Sequence, residues 1–349
     1  MGLKLLHSAD WHLGSAFASF SGAQRTALRR AQESLPSRIG QIVREEAVDL
    51  VLLAGDLFDG DPAPYWVELL RSNLEKYGVP VFIAPGNHDP AGPGSPWNQV
   101  NWPENVHVFT GDLSCIVLED LDCRVYGAGY QSMDCPPLLA DFRAGGAERY
   151  CIGVLHGDPV NRSSPCCPIT TAQVRESGLD YLALGHIHQS GFFRAGDTLC
   201  AWPGCPMGRG WDETGEKGVC IVTLDQRAEL RPLVLDTPRF HDLTLTVEGD
   251  ALAAMENALP GAGSGDFYRV TLNGWGSISR EELLCHFAEF PNLELRDRMA
   301  PPQTLWEPEG EDTLPGIYFR LLRESEDPRA ELTARISRQL LAGREVELP

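Results

Sequence analysis

The sequence predicts an α/β fold over residues 1–236, with a second sheet packed on the first and a small α+β domain beyond it. Three observations carry this. Five short apolar runs, at 3–6, 50–54, 81–84, 151–155 and 181–184, read as buried strands, and each leads into a cluster of Asp, Asn or His. Segments with helical spacing follow the first two clusters. The pattern then changes near Thr237-Pro238.

The first run leads to Asp10-Trp11-His12. Leu28, Ala31, Leu35, Ile39, Ile42 and Val43 then mark helical spacing over 25–47, and Pro36 predicts a break into two helices. The second run leads to Gly55-Asp56-Leu57-Phe58-Asp59. Trp66, Leu69, Leu70, Leu74 and Tyr77 predict another amphipathic helix, stopped by Gly78. With 49–54 before it and 81–84 after it, this is a βαβ unit. The third run leads to Gly86-Asn87-His88-Asp89, the fourth to His156-Gly157-Asp158 and the fifth to Gly185-His186-Ile187-His188. Further strands are expected at 115–118, 124–126, 218–224 and 230–235; with 151–155 and 181–184 they make the later part strand-rich, which suggests a second sheet packed on the first. Loops rich in Pro and Gly, at 85–96 and 203–210, suit binding residues on a rigid scaffold.

Beyond residue 237 the order is strand 240–247, helix 251–259, strand 267–272, helix 279–290 and strand 293–296. Ser279 and Glu282 have capping-box spacing. Pro301-Pro302 closes this unit, 304–313 reads as a polar linker, and 314–323 and 329–341 read as helices with Gly343 as the stop. The expected domains are therefore 1–236, 237–302 and 303–349.

A chain of 349 residues suggests about two domains, and 43% hydrophobic residues suffice for a substantial core. No apolar stretch is long enough to span a membrane and no signal segment is evident, so a cytoplasmic protein is expected. The ten cysteines contain no CxxC pair; reduced thiols are expected, with a Cys166–Cys167 vicinal disulfide or a soft-metal site as the alternative. The net charge of −20 argues against tight, sequence-blind binding to a polyanion by the chain alone, because such binding rests on basic side chains. It leaves phosphate substrates open, since bound cations would invert the local field.

The carboxyl ends of parallel strands are where open α/β sheets bind ligands, so one sheet edge is expected to gather these clusters. Each cluster alone has a plain reading: Gly-Asp-x-x-Asp as a turn and cap, Gly-Asn-His-Asp as a turn, a lone His156 as nothing in particular. Together they supply Asp10, His12, Asp56, Asn87, His156, His186 and His188, more than one tetrahedral zinc needs. Two ions sharing a carboxylate fit better. Mixed carboxylate, amide and imidazole donors favour manganese, iron or zinc over calcium or magnesium. Two ions roughly 3.5–4 Å apart stabilise both the entering and leaving oxygens at phosphorus, and supply a water acidified to near-neutral pKa as the nucleophile for in-line attack. Asp10 and His12, like His186 and His188, lie two apart, which in extended backbone points each pair the same way. His7, His107, His241 and His286 are expected to be ordinary core or surface histidines.

The ordered set Asp10-x-His12, Gly55-Asp56-x-x-Asp59, Gly86-Asn87-His88-Asp89, His156 and Gly185-His186-x-His188 resembles the signature of calcineurin-like metallophosphoesterases. Residues 6–14 and 55–59, with Pro203-Gly204-Cys205-Pro206 and Gly215-Glu216-Lys217-Gly218, resemble more narrowly the SbcD nuclease subunits of bacterial DNA repair, and the shorter YhaO-like members most of all, which share a stretch similar to Leu340-Leu341-Ala342-Gly343. The resemblance implies a two-sheet sandwich flanked by helices, with a small cap domain. It implies one ion, often manganese, on Asp10, His12, Asp56 and His188, and a second on Asp56, Asn87, His156 and His186. It implies that His88 stabilises the phosphate and protonates the leaving oxygen, with Asp59 orienting its ring. DNA is the implied substrate, and an SMC-like ATPase of the SbcC type an implied partner for the short C-terminal region. A small-molecule phosphoesterase on the same site and a mainly partner-binding subunit are the alternatives. Trp97, Trp102, Trp202 and Trp211 are candidates for stacking a base, with partly buried packing as the plain reading.

Overall fold

The computed structural model describes residues 2–260, 265–275, 279–299, 305–310 and 312–341. The chain forms two compact units, Met1–His241 and Asp242–Pro349.

The first unit opens with β1 (Leu3–Ser8), α1 (Gly22–Glu45), β2 (Leu50–Leu53), α2 (Pro64–Leu74) and β3 (Val81–Ile83). It continues through α3 (Pro96–Gln99), β4 (Val106–Val108), β5 (Ser114–Leu118), β6 (Cys123–Gly127), β7 (Tyr150–His156), α4 (Thr171–Glu176) and β8 (Tyr181–Gly185). It ends with β9 (Gly191–Ala195), β10 (Thr198–Trp202), β11 (Gly218–Leu224) and β12 (Ala228–Val234). Two six-stranded sheets result, ordered β12-β11-β1-β2-β3-β4 and β5-β6-β7-β8-β10-β9. Strands β1 to β4 run parallel, as do β6, β7, β8 and β10, while antiparallel strands flank each set.

The period-2 alternation of strands sorts side chains to two faces. Leu5, Leu50, Leu52 and Phe82 of the first sheet meet Val125, Ile152, Val154, Tyr181 and Ala183 of the second in one buried layer. Their neighbours Leu6, Val51, Leu53, Val81 and Ile83 face outward onto Leu35, Ile39, Val43, Leu70 and Leu74 of α1 and α2. On the second sheet, Leu155, Leu182 and Leu184 are covered by Val174 of α4 and by Leu179. The unit is thus a helix-flanked two-sheet sandwich, the fold class expected. The five ligand-bearing runs are divided between its sheets: β1, β2 and β3 in one, β7 and β8 in the other. The expectation of a single sheet edge is corrected accordingly.

His7 is a core residue with a task. It is fully buried between the sheets, with Nδ1 2.7 Å from the Tyr181 hydroxyl and Nε2 3.1 Å from the Leu184 carbonyl. Burial pushes its pKa down to about 3, so the ring is neutral.

Pro36 does not break the first helix. It lies inside α1, which Ser21 and Gln24 open as a reciprocal capping box. An interior proline costs roughly 3 kcal/mol, but Leu35, Ile39, Ile42 and Val43 are all buried, each contributing roughly 1.5–3 kcal/mol. The Tyr77 hydroxyl also donates to the Pro36 carbonyl at 2.7 Å. Gly78 ends the α2 segment in left-handed conformation at φ 70°.

The second unit holds β13 (Phe240–Glu248, whose first two residues belong to the first unit), α5 (Ala251–Ala258), β14 (Phe267–Trp275), α6 (Arg280–His286) and β15 (Leu293–Asp297). Its sheet is ordered β13-β14-β15 over a core of Val247, Met255, Val270, Leu272, Leu283, Phe287 and Leu295. Ser279 caps α6 through the Glu282 amide at 3.2 Å. The span expected to be a linker contains a short 3-10 turn, Glu307–Gly310. Helices α7 (Leu314–Arg323) and α8 (Ala330–Leu341) follow, with Phe319 and Ala334 buried. Pro301, Pro302 and Gly343 lie outside the described residues. No described helix is long and apolar enough to cross a membrane.

Candidate metal centre

The two sheets converge at the carboxyl ends of β1, β2, β3, β7 and β8. The His156 ring, at the end of β7, donates from Nδ1 to the Ala54 carbonyl beyond β2 at 2.9 Å, crossing from one sheet to the other. Two glycines permit that approach. A Cβ on Gly185 would overlap the Ala54 carbonyl oxygen, and one on Gly55 would sit 2.5 Å from His156 Nδ1.

The loops after β1 and β2 run side by side. The amides of Asp10, His12 and Leu13 donate to the carbonyls of Gly55, Asp56 and Leu57 at 3.0, 3.0 and 2.8 Å. Asp10, His12, Asp56 and His186 all have positive φ, at 55°, 45°, 50° and 94°. Non-glycine residues seldom adopt this conformation, and it costs of order 1–3 kcal/mol each. It also corrects the alternation argument: Asp10 and His12 reach one site through left-handed turns, and His186 is likewise not extended.

Asp89 ties the second loop to the third. Its buried carboxylate accepts from Gly86 N (2.8 Å) and Asp56 N (3.1 Å) on Oδ1, and from Leu57 N (2.8 Å) and Phe58 N (3.1 Å) on Oδ2. Burial and the Asp56 charge raise its pKa to about 7, against the pull of the Gly86 and Phe58 amides and of His156 toward the carboxylate form.

All seven expected ligands come together. His12 Nε2 and His188 Nε2 face each other at 3.3 Å. Asp56 Oδ2 lies 3.8 Å from His12 Nε2 and 3.4 Å from His156 Nε2. Asn87 Oδ1 lies 2.9 Å from His156 Nε2 and 3.1 Å from His186 Nδ1. The Asp10 carboxylate accepts from the His186 amide at 3.0 Å. Three overlapping donor groups follow: Asp10 with His12 and His188, His12 with Asp56 and His88, and Asp10 with Asp56 and His156, each within 4.8 Å.

Every converging imidazole is backed on its other nitrogen by an oxygen. His188 Nδ1 meets Glu213 Oε1 at 2.7 Å, and His156 Nδ1 meets the Ala54 carbonyl at 2.9 Å. His12 Nδ1 faces Asp59 Oδ1 at 3.4 Å without a formed hydrogen bond, and His186 Nε2 faces Asp158 Oδ2 at 3.8 Å. A nitrogen whose proton faces an oxygen leaves its partner with a lone pair. Where both rings are neutral with the proton on Nδ1, their Nε2 lone pairs face each other at 3.3 Å and a cation between them would satisfy both, so the donor set fits divalent metal ions.

The charge state agrees. Burial alone would lower the His156 pKa, but the Asp56 carboxylate reverses this and raises it to about 9. Burial opposes ionisation of Asp56, yet His156 and His12 outweigh it and hold the carboxyl below its ordinary value. Negative and amide oxygens thus converge on a place that a proton holds and a cation can take.

His88 stands apart. Its side chain is 45% exposed, and its backbone amide donates to Asp56 Oδ1 at 2.9 Å. Asp59 Oδ1 lies 3.8 Å from His88 Nδ1, farther than from His12. Asp59 therefore sits between the two rings and backs His12 at least as closely as His88.

Sequence reasoning gives no role to Asp89, Asp158, Arg209 or Glu213. Asp89 lies within a recognised cluster. Arg209 and Glu213 come from the irregular segment between β10 and β11; Arg209 falls in the Pro- and Gly-rich loop at 203–210, and Glu213 lies just beyond it, where only its burial marks it. The four tryptophans face aromatic neighbours within the protein: Trp97 stacks on Trp102 at 5.1 Å, Trp202 lies near Phe193, and Trp211 packs on Phe20 and Phe240. This is the packing reading. All ten cysteines are free thiols.

A family model for calcineurin-like phosphoesterases matches residues 3–190, more than half of the chain. An uncharacterized metallophosphoesterase, YhaO of Bacillus subtilis, is 33% identical over 234 residues, which is 63% of this chain and 57% of that protein. The SbcD component of the SbcCD nuclease, also of Bacillus subtilis, is 26% identical over 265 residues, covering 63% of this chain and 66% of that relative. The chain thus spans less than two thirds of either relative. A dimetal phosphatase from Danio rerio aligns over 66% of this chain and 95% of its own at 15% identity, with a TM-score of 0.44.

Proposed function

We propose that this chain, which belongs to the calcineurin-like phosphoesterase family, is a dinuclear-metal-dependent phosphodiesterase acting on DNA in the manner of SbcD-type nucleases. The observation that carries the phosphodiesterase reading is the convergence of Asp10, His12, Asp56, His156 and His188 in overlapping donor groups, with the 45% exposed His88 at the edge of one of them. Asp10, His12, Asp56 and His188 would hold one ion, and Asp56, Asn87, His156 and His186 the other, with manganese as the expected metal. Two ions bound there supply Lewis-acid polarisation of the phosphate and an acidified water.

The remaining work falls to side chains. Asp56 is the shared carboxylate. His88 contacts the phosphate and gives a proton to the leaving oxygen, the half-exposed ring of the set being the one a substrate can reach. Asp59, 3.4 Å from His12 Nδ1 and 3.8 Å from His88 Nδ1, is placed to orient both rings and so couples the proton donor to a ligand. The small α+β domain expected at 237–302 would serve as a cap that positions DNA. The DNA reading draws on the names of the SbcCD nuclease relatives. An SMC-like ATPase of the SbcC type is the proposed partner, supported by Leu314, Leu321, Leu340 and Leu341, which stay exposed on α7 and α8. A second reading, hydrolysis of small phosphoesters, is favoured by the net charge of −20.

The test is a substrate panel with added manganese: linear, hairpin and single-stranded DNA, cyclic nucleotides and phosphomonoesters. DNA cleavage is expected. Turnover of a generic phosphodiester ester with every DNA left intact would overturn the nuclease reading and leave the second one.

A further inference from the structure

We infer that Glu213, steadied by Arg209, is a positioning residue that fixes the His188 ring as a metal ligand; this rests on the two-metal reading above. Glu213 is buried, with its side chain 5% exposed, and its carboxylate serves one partner set only. Oε1 accepts from His188 Nδ1 at 2.7 Å and from Arg209 Nη2 at 2.7 Å. Oε2 accepts from the Arg209 amide at 2.8 Å and from Arg209 Nε at 3.3 Å.

The consequence is chemical. A carboxylate with four donors on it can only accept, so His188 Nδ1 must carry the proton. Arg209 Nη2 also lies 3.1 Å from that nitrogen, a donor facing a donor, which the shared oxygen makes tolerable. In the neutral ring His188 Nε2 then presents its lone pair toward His12 Nε2, 3.3 Å away. The same guanidinium reaches toward Asp59, with Nη1 4.0 Å from Oδ1, the oxygen that backs His12. One arginine thus stands between the two carboxylates behind the two facing imidazoles. The segment that carries these residues is fastened to its target: the Cys205 amide donates to the His188 carbonyl at 3.2 Å.

Oxygen partners of this kind typically change metal affinity roughly 10–100-fold when removed. The experiment is titration of the metal-free protein with Mn²⁺ alone, followed by calorimetry and by equilibrium dialysis with metal analysis. Glu213→Gln keeps the shape and removes the charge, leaving Arg209 without its nearer counter-charge beside the ion. One of two ions should bind roughly 10–100-fold more weakly while the other is unchanged. Adding Arg209→Gln removes the repelling charge and should restore part of the lost affinity; a purely structural pair would instead lose more, or nothing. The double variant also buries no lone charge, so it keeps the test open if Glu213→Gln fails to fold. Two ions at wild-type affinity in the folded double variant, or equal loss of both ions in either variant, would overturn this inference alone. A wild-type protein that takes up no Mn²⁺ would overturn the metal reading as well.

Discussion

Replacing Gly185 with alanine should damage both the fold and the centre, because the two sheets touch at that residue. An added Cβ would overlap the Ala54 carbonyl oxygen and come within 2.9 Å of both Ala9 Cβ and His156 Nδ1, where ordinary contact begins at 3.4 Å. The last two contacts alone are 0.5 Å short. The atoms met are backbone and fully buried side chains, so no flexible end can swing away. Overpacking of this kind costs roughly 1–3 kcal/mol. The strained atom is also the acceptor for His156 Nδ1, and a lost hydrogen bond adds about 1 kcal/mol. Alanine restricts the unfolded chain, which returns roughly 0.4–1 kcal/mol. The net expectation is a destabilisation of about 1–3 kcal/mol. Opening the seam by about 1 Å also moves His156 away from Asp56, and a misplacement of that size can cost on the order of 10²-fold in rate. Urea unfolding gives the first quantity. Hydrolysis of a generic phosphodiester in excess manganese gives the second. A variant within about 0.5 kcal/mol of the parent, the range of an inconsequential surface change, and equally active would show that the sheets do not meet through Gly185.

Asp56→Ala should abolish uptake of both metal ions, measured by metal analysis after dialysis; an active variant with two ions bound would refute the shared carboxylate. His88→Ala should keep both ions and lose roughly 10²–10⁴-fold in turnover, the usual contribution of general-acid help; lost metal would show that His88 is a ligand instead. For His7, the folded pKa of about 3 lies below the ordinary 6.5. The unfolded chain then binds the proton more readily, so stability falls as pH drops below about 6.5. Between pH 7 and pH 5 the His7 share of the loss is about 2 kcal/mol, from about 1.36 kcal/mol per pK unit. Urea unfolding at both values should show that drop in the parent and a drop about 2 kcal/mol smaller in His7→Gln; equal drops would refute it.

The donor set is legible because strand and ligand share a register along the chain. An apolar run such as Leu50 to Leu53 is hydrophobic on both faces, and the first polar residues after it lie at the sheet's end. The two-sheet division is not legible from the runs themselves: β1 and β7 look alike, and only the antiparallel flanking strands and the path between them separate the sheets. Strands β9 and β10 are also hidden. β9 is an edge strand with exposed Phe192 and Arg194, so its composition resembles a loop. Pro36 misleads because local propensity leaves out the buried face around it. Glu213 is illegible for a further reason. A lone carboxylate in an irregular segment carries no periodicity, and only burial separates it from a solvated one.

The convergence of β1, β2 and β3 with β7 and β8 has a mechanical consequence. A centre whose ligands are split between two sheets is a seam, and any ion that binds there staples one sheet to the other. Ligand at roughly a hundred times its dissociation constant adds about 2.7 kcal/mol to the folded state. Here that cohesion would act at the carboxyl edge, where left-handed backbone stores strain. Chelation should therefore loosen the sandwich from that edge inward, and hydrogen exchange should rise first at the amides of Asp10, His12 and Leu13 that zip the first two loops together.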